Sequence, residues 1–327
     1  MRALPSVTFA TVVATGIALT VDQGLAQTLQ NFPSKPIRLV VPFSPGGTSD
    51  ILARLIGSKM SESWGQPVVV ETRTGAGGTI GTGIVAKATP DGHTLLLSSP
   101  AFVISAALHS NLSYDALRDF AGITRIGFST QALVVAPALG AKTVKDFIAL
   151  AQAKPGQILF SSAGAGSSTH MNGERFRLAA GIKVVHVGFK GASDAMIEVV
   201  AGRVHYAVVG LASALAFIQD GRLVALAVGT PQRSPLLPDV PTISETLPGY
   251  ARDGSHSLLA PAGTPRPVLN QISKEVGRIL ELPDIKEQVK NFDFVSAPTT
   301  PEEHDRILRA DIATFTKVVR DAGLRPK

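Results

Sequence analysis

Val40-Val41-Pro42-Phe43-Ser44-Pro45-Gly46-Gly47-Thr48-Ser49-Asp50 decides how this chain is read. Upstream, residues 37–41 form an apolar, β-branched-rich run, the pattern of a buried strand. Downstream, Ile51-Leu52-Ala53-Arg54-Leu55-Ile56 carries a helical pattern. Between them lie two prolines and two glycines, then Thr48 and Ser49. A strand that turns into a helix this sharply presents backbone N–H groups at the positive end of a helix dipole, which suits a phosphate or a carboxylate. Gly46 and Gly47 allow close backbone approach with no Cβ in the way. Taken alone, the stretch reads equally well as a turn that binds nothing.

The same arrangement recurs further on. Residues 158–162 read as a strand, and Ser162-Ala163-Gly164-Ala165-Gly166-Ser167 as a small-residue loop opening a helix, with His170 one turn inside it. One such loop carries little weight; two could close on opposite ends of a dianion. A lone histidine at such a place serves packing or hydrogen bonding more often than catalysis. Around these loops, strand and helix patterns alternate: strands at 67–71, 93–98, 133–137, 184–187, 206–210, 224–228 and 256–260, with helices between and two long helices at 265–282 and 301–322. Thr143 is placed to cap a helix over 145–154. Alternation of this kind predicts parallel sheets covered by helices. Residues 231–248 hold five prolines and can form neither a long helix nor a central strand, so they read as a surface connection.

Composition narrows the function. The chain has 327 residues, enough for two domains, with 45% hydrophobic and 17% charged residues. Its net charge of +6 is spread without basic runs, and aromatics are only 6%, which speaks against a nucleic-acid surface and for small anionic ligands. The absence of cysteine removes disulfides, thiolate catalysis and Cys-ligated zinc. Arg2, the nearly charge-free residues 7–21 and Gly24-Leu25-Ala26 read as a secretory leader cleaved near Ala26, which places the mature protein in the periplasm; an uncleaved anchor is the alternative.

Other motifs yield less. Gly75-Ala76-Gly77-Gly78-Thr79-Ile80-Gly81 follows a strand and opens a helix, but its spacing is GxGxxxG, and a dinucleotide is not expected. The seven histidines form no metal-binding motif, and GxSxG is absent. No cofactor is expected.

Several ordered blocks resemble one family. These are residues 42–50, Gly75-Ala76-Gly77-Gly78, Pro90-Asp91-Gly92-His93-Thr94-Leu95, Lys154-Pro155-Gly156, residues 164–170, Arg233-Ser234-Pro235 with residues 238–242, and residues 260–265. Together they resemble the Bug-type, TctC-like solute receptors of tripartite tricarboxylate transporters. The resemblance implies a type II periplasmic binding protein of α/β class, with two lobes joined by crossing segments around a ligand cleft. It places lobe 1 at 33–136 plus 252–327 and lobe 2 at 137–251. The expected ligand-facing residues are Phe43, Pro45, Gly46, Gly47, Thr48, Ser99, Ser162, Ala163, Gly164, Gly166, Ser167, His170, Lys190 and Gly210. Where relatives carry Pro-Tyr-Lys-Gly, an Asp and a Trp, this chain has Gly188-Phe189-Lys190-Gly191, Gly210 and Ser255-His256. Those changes fall where the ligand's distal end is read, and the lost acid argues against an ammonium-bearing ligand.

The expected function is capture of a small carboxylate, a di- or tricarboxylate or an aromatic acid, and its delivery to membrane transporter subunits by a monomer. The alternatives are a secreted hydrolase using Ser167 or Ser193 with a remote base, and a sensor feeding a membrane kinase. Gly47→Val tests the first loop: it is expected to abolish carboxylate binding, measured by calorimetry, while leaving the unfolding midpoint nearly unchanged. Binding that survives this change would place the anion elsewhere.

Overall fold

Two mixed α/β sheets meet where the chain crosses between them at Thr130. The computed structural model describes residues 32–43, 45, 48–189, 191–250, 255–291 and 293–324. The leader, Ser44, Gly46, Gly47, Lys190 and the side chain of Ser193 lie outside these.

The chain opens with β1 (Ile37–Val41), α1 (Thr48–Trp64), β2 (Val68–Thr72), α2 (Thr79–Ala86), β3 (Thr94–Ser98) and α3 (Ala101–Leu108). A long strand, β4 (Phe120–Ser129), leads into β5 (Gln131–Val135), α4 (Val144–Ala153), β6 (Leu159–Ser162), α5 (Ser168–Ala179), β7 (Val185–Gly188) and α6 (Ala192–Val200). There follow β8 (Tyr206–Gly210), α7 (Leu211–Gln219), β9 (Val224–Val228) and the short α8 (Ile243–Thr246). The chain ends with β10 (His256–Pro261), α9 (Arg266–Leu280), α10 (Pro283–Asn291), β11 (Phe294–Ser296) and α11 (Pro301–Asp321).

The first sheet has the order β11-β4-β10-β3-β1-β2 and the second β7-β6-β8-β5-β9. In the first, β1, β2 and β3 are parallel and β10 runs against β3 and β4. In the second, β6 is parallel to β7 and β8, while β5 runs against β8 and β9. β1 is almost wholly buried because helices cover both faces, which is why it reads as a continuous apolar run. Its side chains alternate between two cores: Leu39 and Val41 join one, Val40 the other. β5 does the same, with Leu133 and Val135 on one face and Ala132 and Val134 on the other.

Each sheet has one point where the chain reverses its direction of travel across the strands. From β1 it moves out to β2 and back past β1 to β3; from β6 it moves out to β7 and back to β8. At such points the connections leaving neighbouring strands diverge and open a crevice at the strands' C-terminal ends. The crevices lie at Pro42, Phe43, Pro45 and Thr48 with Ser99, and at residues 163–167 with Gly210.

Two sequence expectations change. Residues 131–136 were assigned to the first lobe, yet β5 is a strand of the second sheet, held antiparallel by β8 and β9. The crossing is therefore at Thr130, not after Ala136. Residues 101–129 carried no expected element, whereas they form α3 and the ten-residue β4 beside β10. Gly122, Thr124, Arg125 and Gly127 break the apolar pattern there. Thr143 does cap α4, through a capping box with Asp146.

Two core histidines make the fold acid-sensitive. His304 is 1% exposed, and neither of its ring nitrogens has a hydrogen-bond partner among the described residues. His256 is buried edge-on to the Phe294 ring. Burial pushes both pKa values down to about 4, with Arg125 adding to the effect on His304. An unfolded histidine takes up its proton near pH 6.5, before the folded one can. Stability is thus full above pH 6.5 and falls as pH drops toward 4, by on the order of 3 kcal/mol per histidine. Urea unfolding at pH 7.5 and 5 is expected to show a large loss at the lower pH. His304→Leu should remove part of that slope; an unchanged slope would mean that His304 is not the titrating group.

Candidate ligand-binding site

The first loop rests on glycines. Val41 O accepts a hydrogen bond from Arg73 N–H (2.9 Å), which ties the end of β1 to the loop after β2. A Cβ on Gly78, whose φ is +95°, would lie 2.9 Å from the Phe43 ring. A Cβ on Gly81 would lie 2.5 Å from Arg73 O and 3.0 Å from Pro42. The glycine block that resembles a dinucleotide motif is therefore the packing surface beneath Pro42 and half-buried Phe43. Pro45 is exposed and half-buried Thr48 begins α1, whose first turn carries buried Asp50, the acceptor for Arg54 Nε (3.0 Å). Gly46 and Gly47 lie outside the described residues. Half-buried Ser99 sits at the end of β3, where its hydroxyl accepts from Ala101 N–H (3.2 Å) at the start of α3.

The second loop is organised by its own side chains. Ser167 caps α5, accepting from His170 N–H (3.2 Å) and donating to Gly164 O (2.7 Å). Thr169 Oγ1 accepts from Ala163 N–H (2.9 Å). Ser162 Oγ accepts from Gly164 N–H (3.1 Å), and His170 Nδ1 accepts from Gly166 N–H (3.0 Å). In this conformation the amides of Ala163, Gly164 and Gly166, expected to face a ligand, bond within the loop.

His170 is buried, and burial lowers its pKa to about 4, helped by nearby His186 and Arg177. Its ring stacks on Phe160 and lies 4.0 Å, centroid to centroid, from the ring of His186. His186 Nε2 in turn is 2.6 Å from Ser162 Oγ. Sequence reasoning missed His186 and Thr169. Thr169 lay inside a quoted block, but nothing local marks His186, since β7 joins β6 only by sheet pairing.

The second loop and its helix are seated against the first sheet's helices and core. A Cβ on Gly166 would lie 2.6 Å from Leu108 at the end of α3, and Met171 of α5 is buried in the core that Val40, Leu96 and Phe102 line. Gly210 ends β8 opposite Gln131, next to Leu211, whose N–H donates to Thr130 O (2.9 Å). Lys190 lies outside the described residues. A groove of about 680 Å³ runs beside the second loop, along Gly164, Phe189, Asp194 and Ile197. A second one, of about 720 Å³, lies away from both loops, between α5, Tyr250 and α11.

Gly81→Ala should force Pro42 and the first loop out of place, costing about 1–3 kcal/mol of stability in denaturant unfolding. No measurable change would show that the loop yields freely.

Residues 52–324 match the family model TctC, the tripartite tricarboxylate transporter family receptor. The UPF0065 protein in the tcbD-tcbE intergenic region of Pseudomonas sp. (strain P51) is 37% identical over 305 residues, covering 93% of this chain and 91% of that protein. BugT of Bordetella pertussis is 31% identical, covering 90% and 92%. Among solved structures, R. palustris Rpa4515 with adipate superposes with a TM-score of 0.75 at 30% identity, over 90% of this chain and 100% of that one. MatC from Rhodopseudomonas palustris with bound malate gives 0.69 at 28%, over 88% and 100%. The chain belongs to the TctC family of solute-binding receptors of tripartite tricarboxylate transporters.

Proposed function

We propose that this receptor binds a small carboxylate, a di- or tricarboxylate or an aromatic acid, between two lobes built on its two sheets. One observation carries the reading: each sheet has a single switch point, and both are furnished with Ser, Thr and Gly loops on the edges that share the Thr130 crossing. Helix N-termini at residues 48 and 168 favour an anion there. The bound adipate and malate of the two R. palustris relatives support a carboxylate. The ligand shifts the population toward the closed form, which membrane transporter subunits then unload. The receptor works in the periplasm as a monomer, after its leader is removed near Ala26, and carries no cofactor.

A hydrolase reading finds less support. Ser167 Oγ bonds to Gly164 O and Thr169 rather than to a base. Ser162 does have a histidine at 2.6 Å, but Ser162 is fully buried, and among the described residues no carboxylate hydrogen-bonds His186, Glu174 acting on it only through its charge.

A thermal-shift screen of the mature chain tests the proposal, using adipate, malate, citrate and benzoate against amino acids, sugars and nucleotides. A true ligand at about 100 times its Kd adds roughly 2.7 kcal/mol, a rise of several degrees. Stabilisation by a carboxylate alone is expected; stabilisation only by sugars or nucleotides overturns the reading.

A further inference from the structure

The second loop is held by a pair of histidines that both lie outside it, His170 in the helix that follows and His186 on the neighbouring strand. The Ser162 hydroxyl, placed to accept Gly164 N–H at 3.1 Å, is itself met by His186 Nε2 at 2.6 Å from the neighbouring strand β7. His170 Nδ1 accepts Gly166 N–H at 3.0 Å, so its remaining proton is on Nε2, facing Glu174 Oε1 at 4.0 Å. The two imidazoles lie 4.0 Å apart, tilted by 31°, with Phe160 against both. Gly166 thus hangs from His170 directly and Gly164 from His186 through Ser162, and the two rings touch.

We propose that His186 is a positioning residue of the ligand loop. Through Ser162 it fixes Gly164, and by facing His170 it adds to the burial that keeps that ring neutral and able to hold Gly166. The inference rests on the second loop receiving the ligand, as argued above.

The chemistry follows from the distances. Protonated His170 carries hydrogen on both nitrogens and can no longer accept from Gly166 N–H. A second positive charge 4 Å away makes double protonation unfavourable, so the pair takes up its protons in separate steps. His186 is half-buried on an edge strand and meets acid first, whereas His170 is enclosed. Among the described residues, the charged groups facing the pair both come from α5. Glu174 lies beside His170, and Arg177 binds that carboxylate at 2.7 Å, leaving little of its charge to favour an imidazolium. From β6 the pair meets Ser162 and Phe160, and behind Phe160 lies Tyr206 of β8. His186 thus acts as an electrostatic guard: its own proton holds off the one that would release Gly166.

Amide exchange measured by NMR on the ligand-free mature chain, from pH 8 downward, tests this. His186→Ala should speed exchange at Gly164 at least tenfold, because the Ser162 hydroxyl loses its shortest contact and keeps, besides Gly164 N–H itself, only that to Gly164 O at 3.2 Å. His186→Gln, whose amide reaches the same hydroxyl, should keep Gly164 within about threefold of wild type. In His186→Gln the acid release of Gly166 should move to higher pH, by roughly threefold or more in proton affinity, because the guarding charge is gone. An unchanged Gly164 in His186→Ala, or a Gly166 midpoint in His186→Gln at or below the wild-type value, overturns the proposal. If His186→Ala does not fold, the Gly166 midpoint in His186→Gln decides alone. The readout needs no ligand, so its failure is separate from a failure of the carboxylate reading.

Discussion

One residue, Thr130, is the entire first connection between the two sheets, and that brevity governs the molecule. β4 ends at Ser129 and β5 begins at Gln131, so the two sheet edges lie within a residue's reach of one another. Thr130 N–H donates to Asp293 O (3.2 Å), beside β11 of the first sheet, and its carbonyl accepts from Leu211 N–H (2.9 Å) in the second. Asp293 is buried, and burial raises its pKa, while Ser234 donates to its carboxyl at 2.9 Å. Because these are the edges at which β1, β3, β6 and β8 end, a crossing this short leaves both switch points on either side of one gap.

What faces the gap among the described residues is polar but uncharged. Of the described residues at the two crevices, Thr48, Ser99 and Ser167 offer hydroxyls and backbone groups, Ser162 and neutral His170 lie buried behind them, and none is a cation. An isolated anion at one helix N-terminus gains only about 0.3–1 kcal/mol. Asp50 in the first turn of α1 offsets part of even that, though its bond to Arg54 tempers the offset. Affinity on such a surface is a sum over many oriented groups, and so it depends on how rigidly each loop is held before the ligand arrives. The bonds inside the second loop and the glycine packing under the first serve that requirement.

Much of this was legible in the sequence, because it was written locally. β8 and β9 end where the apolar runs end, and the small-residue loops after β1 and β6 announced themselves through Gly, Ser and Thr. The Thr143 cap was visible for the same reason. What escaped depends on distant partners. β4 is a strand because β10 and β11 flank it, and its glycines, Thr124 and Arg125 hide it from any periodicity. β5 belongs to the second sheet through pairings with residues 206–210 and 224–228, which no local pattern encodes. His186 lies 24 residues beyond the serine it touches. The glycines at 75–81 resemble a ligand motif without its spacing, and the reason for two of them, Gly78 and Gly81, is the nearness of Pro42 and Phe43.

The placement of Met171 has a mechanical consequence. This side chain sits on the helix that follows the second loop, yet it is fully buried in the core shared by β1, β3, α3 and α11. Arg175, one turn further along, lies over the rings of Tyr250 and Phe315. Swinging the second sheet away from the first must either drag α5 off this seat, exposing an apolar side chain whose burial is worth about 1.5–3 kcal/mol, or bend the chain between the loop and its helix. Gaping wide is therefore uphill for the empty receptor. A solute that favours the closed form is helped by this seat, since opening must lift Met171 out of the shared core or bend the chain beside it.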